Sequence, residues 1–231
     1  MRSAHRTTNS VAKPNKEPKL SRTHAPVDLS VADWQRGLRR QFGREQPFEL
    51  VNLGCEPFFS EFRVRNLTSK SSYRVAIRGM GPGGNFCSCP DYATSELGTC
   101  KHLEFTLARL LKKRGARTAF ARGYQPPFSE LYLRNEGQRR VHFRAGTDCP
   151  QAVREAAASL FDVARDGLLP DGCFGELDRF MAVASKSAHE LRAYDDARSI
   201  SLPDGGMPTV GRPNSRSCSR MAPAIPSCAA C

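Results

Sequence analysis

Long apolar runs are missing from this chain. No stretch approaches the roughly 20 apolar residues that a bilayer crossing needs, and the N-terminus lacks an apolar signal core. The dipeptide Gly-Lys occurs nowhere, which excludes the P-loop and its phosphate-binding lysine, and with them nucleotide-driven chemistry of that type. Apolar material is lean at 39% of 231 residues, with a single tryptophan, so the chain can build one modest core or two small ones. A secreted disulfide framework wants a signal peptide and an even number of cysteines. Neither is here, since the cysteines number nine. These absences point to a soluble protein of a reducing compartment, the cytosol, in which clustered cysteines serve a metal.

Positive charge is plentiful. Lysine and arginine total 35 against 23 aspartate and glutamate, a formal net charge of +12 that favours polyanionic partners, nucleic acid first. The excess is uneven. Residues 30–100 are near balance, residues 101–149 hold most of the surplus, and residues 151–200 are acidic overall. Residues 1–28 form a basic, polar arm that cannot bury enough surface to offset its ordering entropy, and 201–231 a Pro/Gly/Ser/Arg tail; both are expected to be disordered.

The first helix is expected at Ser30, a capping residue with Asp33 three positions on, followed by Val31, Trp34, Leu38 and Phe42 at helical spacing. Trp34 reads as a core anchor, and Gly43 as the end of the helix. Residues 49–89 then alternate as strands. Phe59–Arg65 and 72–78 are the clearest, and the glycine-rich run 79–84 is a hairpin turn, because a strand rather than a helix follows it.

One constellation carries chemistry. Cys87-Ser-Cys89, ten intervening residues, then Cys100-Lys-His102 supplies three thiolates and an imidazole, the ligand set of a closed tetrahedral structural zinc site. The first pair leaves the last strand at a turn sharpened by Pro90. The second opens a helix with Thr99 as its cap, Leu103, Leu107, Leu110 and Leu111 as its apolar stripe, Lys112-Lys113-Arg114 in its last turn and Gly115 closing it. A catalytic zinc keeps an open position, so four good ligands argue against an enzyme. Cys55, Cys149 and Cys173 read as small buried or half-buried residues.

On these residues the chain resembles the SWIM zinc finger. More narrowly, LSVADWQRGLRRQFGREQPFEL, CSCPDYATSELGTCKHLEFTLARL, ARGYQPPFSELYLR and HELRAYDDA resemble the N-terminal region of bacterial Swi/Snf-type helicase-like ATPases, over about residues 29–198. The resemblance implies metal ligation by Cys87, Cys89, Cys100 and His102 and a region that assists DNA or protein binding ahead of an ATP-driven motor, in a bacterial cytosol or nucleoid. After Ala197 the family pattern gives way to SISLPDGGMPTVGRPNSRSCSRMAPAIPSCAAC, and the nucleotide motifs never arrive. The expectation is a module severed from its motor, as a frameshift or early stop would leave, with no ATPase activity.

Further on, residues 129–144 read as a hairpin about Asn135-Glu136-Gly137. Arg134, Arg139, Arg140 and Arg144, with Arg117 and Arg122 before them, are candidates to track a phosphate backbone, and Tyr132 or His142 to stack on bases; the alternative is a solvated, solubilising sheet face. Residues 150–168 and 174–188 read as packing helices, and Asp195-Asp196 as a solvated pair. The whole is an α+β protein: a SWIM-like zinc-binding domain over 29–115, built from a small antiparallel meander and a zinc-bound helix, then an accessory hairpin with two helices over 116–200. Its expected role is non-enzymatic, nonspecific DNA binding with one structural Zn²⁺, no membrane and no nucleotide. A protein adaptor docking a motor or transcription partner, and a non-functional remnant, are the alternatives.

Overall fold

The computed structural model describes residues 19–193. The first part of the basic arm, Asp195-Asp196 and the 201–231 tail lie outside the described residues. The fold is α+β, as the alternation of strand and helix patterns requires.

Helix α1 spans Val31–Glu45. Ser30 caps it, its hydroxyl accepting from the Asp33 amide at 3.1 Å and donating to the Asp33 carboxylate at 2.7 Å. That bond, with the Arg36 guanidinium beside it, holds the Asp33 carboxyl below its ordinary range. Three expectations about this helix need correction. It runs through Gly43 rather than ending there, because Gly43 is where it crosses the helix that follows the meander. Val31 is exposed. Trp34 is half-buried and outside both apolar cores; its indole N–H donates to the Ser21 carbonyl at 2.9 Å, so it clasps residues 19–29 rather than anchoring a core.

Strands β1 (Phe48–Asn52), β2 (Glu61–Asn66), β3 (Ser72–Ala76) and β4 (Phe86–Cys87) form an antiparallel meander in sequence order. On β2 the period-two pattern sends Phe62 and Val64 inward and Arg63 and Arg65 outward. The glycine run does connect two antiparallel strands, but as a wide loop rather than a tight turn. Asn85 organises it: its side-chain oxygen accepts from the Arg78 and Gly79 amides at 2.7 and 3.1 Å, and its amide nitrogen donates to the Gly79 carbonyl at 3.0 Å. Short helix α2 (Pro90–Thr94) and helix α3 (Lys101–Leu110) follow, then α4 (Ala116–Arg122). The first apolar core lies between the meander and α3, with Phe62, Val64, Val75, Ile77, Leu103 and Leu110 at its centre.

Strands β5 (Ser129–Glu136) and β6 (Gln138–Arg144) make the expected hairpin, turning at Gly137. A third strand, β7 (Leu191–Ala193), joins β5 in parallel and was not legible in advance, being three residues long. Helix α5 (Gln151–Leu160) is shorter than the 150–168 reading. Asp162 ends it by accepting from the Ala164 and Arg165 amides, and the Phe143 amide then draws the chain back to the sheet through the Gly167 carbonyl at 2.8 Å. Phe161 is thereby stacked on Phe143 with ring centroids 5.2 Å apart. After a 3₁₀ turn at Phe174–Glu176, α6 (Leu177–Lys186) completes a second apolar core that includes Leu131, Leu133, Val141, Val153 and Phe180.

The two cores meet at a polar seam. The Asn135 amide donates to the Gly83 carbonyl at 3.1 Å, its side chain donates to the Ser95 carbonyl at 2.9 Å, and the Gly137 amide donates to the Glu96 carbonyl at 3.2 Å. Arg139 donates to the Tyr92 and Ala93 carbonyls. Gly98 has a φ of +68°, and a Cβ there would lie 2.4 Å from the Asn135 carbonyl oxygen, so the backbones pass too closely for a side chain.

Candidate metal centre

Three elements bring four side chains to one point. Cys87 is the last residue of β4, placed by its pairing with Val75. Cys89 is the N-cap of α2, and its sulfur accepts from the Tyr92 amide at 3.3 Å. Pro90 therefore begins a helix as well as a turn, which suits a residue with no N–H to leave unsatisfied. Cys100 holds the N-cap position of α3 in extended conformation, and His102 lies in its first turn. Thr99 is not the cap: its hydroxyl donates to the Glu104 carboxylate at 2.8 Å instead. Lys112, Lys113 and Arg114 lie beyond the end of α3, and Gly115, at φ +83°, opens α4. Leu111 is exposed, so the apolar stripe of α3 is Leu103, Leu107 and Leu110.

All four side chains are buried, and their ligand atoms lie within 4.8 Å of one another. The Nδ1 of His102 is 3.8 Å from the Cys87 sulfur and 3.9 Å from the Cys100 sulfur. The His102 ring is met edge-on by Phe48 at 5.1 Å and by a tilted Tyr73 at 4.7 Å between centroids. Helix α1 presses from behind, where a Cβ on Gly43 would sit 2.8 Å from the Lys101 carbonyl oxygen and 2.9 Å from the Phe105 nitrogen. The sulfurs also perturb one another. Hydrogen bonding with Cys100, and burial, push the Cys87 thiol up; burial pushes Cys100 up; bonds received from Cys100 and Cys87 hold Cys89 well below the ordinary thiol range. A buried pocket of three sulfurs and one imidazole, with donor atoms this close, can hold a metal ion.

Tyr92 is a further contributor that residue spacing alone did not single out. Its amide fixes Cys89, and its hydroxyl donates to the Asn85 carbonyl, tying the first ligand pair to the glycine loop. Among the described residues, the other cysteines stand apart from the cluster: Cys149 is buried, Cys173 half-buried, and Cys55 exposed rather than covered as expected.

The six candidate arginines are divided between the two cores. Arg117 and Arg122 are exposed on α4, whose Phe120 packs on the first core. On the hairpin, Arg134 pairs with Asp166, Arg140 with Asp171 at 3.3 Å, and Arg144 with the buried Glu130 at 2.9 Å, while Arg139 is spent on the seam. Tyr132 and His142 are buried, and burial raises the Tyr132 phenol. Neither ring is offered for stacking.

No helix among the described residues is long and apolar enough to cross a membrane. Comparison with protein-family models, with curated proteins and with solved structures finds no match to this chain.

Proposed function

We propose that the protein is a zinc-held, SWIM-like binding module that engages nucleic acid without catalysing a reaction. The observation that carries this reading is the buried cluster of Cys87, Cys89, Cys100 and His102. Zn–S and Zn–N lengths of about 2.3 and 2.0 Å put neighbouring donors of a tetrahedral site roughly 3.5–3.8 Å apart. The sulfur–nitrogen separations of 3.8 and 3.9 Å are slightly longer than the sulfur–nitrogen value, so a small inward shift of the side chains would close the site on an ion. Bound zinc supplies a cross-link between the strand end and the helix start, in place of apolar core that a short meander cannot provide. The chain's own residues do the rest: Tyr92 and the α2 turn orient Cys89, and Phe48 and Tyr73 hold the imidazole plane. Four protein ligands leave no position for substrate or water, which favours a structural role over a catalytic one. The charge of +12 supports a polyanionic partner, and nonspecific DNA is the simplest one.

The test joins metal analysis to a mobility shift. Purified protein is expected to carry one zinc per chain and to bind DNA with an affinity that falls steeply with salt. Cys100→Ser should lose both zinc and the folded meander, whereas Cys173→Ser should keep both. Metal-free wild-type protein with an unchanged far-UV spectrum, or binding indifferent to salt, contradicts the corresponding half of the reading.

A further inference from the structure

Between Glu104 and Glu130 the chain has no acidic residue and six cations: Arg109, Lys112, Lys113, Arg114, Arg117 and Arg122. All six are exposed. Among the described residues none of them has a carboxylate within ion-pair distance. By contrast, Arg36, Arg39 and Arg40 of α1 meet Asp33, Asp91 and Glu104, and Arg134 and Arg140 of the hairpin meet Asp166 and Asp171. Unneutralised charge gathers where α3 turns into α4.

That turn is a fixed surface. The Lys113 amide donates to the Leu110 carbonyl at 2.9 Å, and the Ala116 amide to the Lys113 carbonyl at 3.2 Å. Helix α4 is pinned by buried Ala116 and by Phe120, whose ring meets Phe59 at 5.2 Å between centroids. Lys112, Lys113 and Arg114 complement the carbonyl end of α3, but Arg117 lies in the first turn of α4, where the helix dipole disfavours a cation and no acidic residue offsets it. Helix stability therefore does not account for the cluster. Like charges held together repel one another, and an anionic partner relieves that repulsion.

We infer that the α3–α4 turn is the surface that meets nucleic acid, and that it grips the phosphate backbone of a duplex. The inference rests on the nucleic-acid reading above and gives it a place. Gly115, Thr118, Ala121 and Gly123 lie between the cations, so nothing bulky holds a polyanion away. The aromatic rings of the segment are engaged elsewhere: Phe105 is buried, Phe120 packs on the first core, Tyr124 donates to Glu130, and Phe128 lies under the Arg192 guanidinium at 3.4 Å. Unpaired bases therefore find no ring to stack on, and phosphate contacts remain. A duplex presents about one phosphate per 1.7 Å of axis, twice the density of one strand. Helix α4 is about 10 Å long, so several duplex phosphates fall within reach of the turn and the helix together. An anionic bilayer would call for apolar side chains to insert, and Leu111, 40% exposed, is the one large apolar side chain that 109–123 leaves largely open.

The measurement is fluorescence anisotropy of the full chain with a short mixed-sequence DNA duplex and with one of its strands alone, over a series of salt concentrations, beside co-sedimentation with vesicles of phosphatidylglycerol and phosphatidylcholine. The duplex should bind most tightly. Lys112→Gln/Lys113→Gln/Arg114→Gln should weaken it and make the slope of log affinity against log salt shallower by up to about 2.7, at about 0.9 per phosphate contact. Arg117→Gln/Arg122→Gln should do the same by up to about 1.8. Arg134→Gln/Arg140→Gln, which removes as much charge from the hairpin, should change the slope little. Unchanged far-UV spectra and thermal midpoints show that the variants are folded. A loss on the hairpin variant equal to or greater than that on the turn variants, or a single strand bound as tightly as the duplex, overturns the assignment while leaving the broader reading in place. Wild-type protein that binds neither form of DNA, whether or not it sediments with the vesicles, overturns both.

Discussion

Gly37 and Gly43 show how one residue type can do opposite work on one helix. Both sit inside α1, where glycine costs about 1 kcal/mol relative to alanine. A Cβ on Gly37 would meet only the Cδ1 end of the Leu20 side chain, which can swing away, whereas a Cβ on Gly43 would meet the backbone of α3 at Lys101 and Phe105. Gly37→Ala should therefore be neutral or stabilising by up to about 1 kcal/mol. Gly43→Ala should destabilise by about 1–3 kcal/mol through overpacking. Because His102 lies between the two contacted residues, Gly43→Ala should also, on the proposed zinc reading, weaken metal retention against a chelator. Denaturant melts and a chelator titration of the two variants check both signs. The ligands themselves predict an acid transition. On the proposed metal-held reading, thiolates and a neutral imidazole would hold the ion, so protons compete with it, and affinity falls as pH falls. Zinc release and loss of far-UV signal should coincide in an acid titration, and a chelator at neutral pH should reach the same end state.

At the scale of elements, the hairpin and the ligand loop depend on each other. The ten residues between Cys89 and Cys100 contain α2 and the turn that receive the hairpin tip: Arg139 on Tyr92 and Ala93, Asn135 on Ser95, Gly137 on Glu96. From spacing alone, Arg139 looked like a long side chain reaching into solvent, because nothing local to 129–144 reveals a partner more than forty residues earlier. With its guanidinium on two carbonyls at the end of a short helix, Arg139→Ala should cost about 1–3 kcal/mol rather than nothing, since it removes charge-assisted bonds. It should also speed amide exchange in both 90–99 and 134–140. Exchange confined to the hairpin would show that the seam carries no coupling.

Across the whole molecule, the two apolar cores are bridged by ion pairs as well as by backbone bonds. Glu130 is fully buried; it faces Arg78 at 3.6 Å and Arg144 at 2.9 Å, and it accepts from the Tyr124 hydroxyl at 3.0 Å. Arg78 belongs to the meander side and is itself buried, with its guanidinium 5.5 Å from the Tyr132 ring centroid. Removing one partner of a buried pair typically costs about 3–5 kcal/mol, because the other charge stays desolvated. Glu130→Ala should cost that much and split a single unfolding transition into two, while Glu130→Gln, which keeps the shape, should cost less. Calorimetry of both variants decides it; a single unshifted transition in Glu130→Ala would show the pair to be dispensable.

Much of this was legible from local pattern. Cys87, Cys89, Cys100 and His102 were readable because ligation needs particular donors at short separations, and the α1 cap, the β2 and β3 alternation and the β5–β6 turn follow from neighbours within a few residues. Tertiary structure decided whatever depends on a distant partner. It carried α1 past Gly43 because another helix crosses there, ended α5 at Leu160 because Phe161 is required in the second core, and added a three-residue β7 too short for any periodicity. It also redistributed the arginines. The hairpin group is held by Asp166, Asp171, Glu130 and the α2 carbonyls, while on α1 Arg36 is paired with Asp33 and Arg40 with Glu104. Residue type sets the charge a side chain carries, but which opposite charge lies within reach of it is a property of the packed chain.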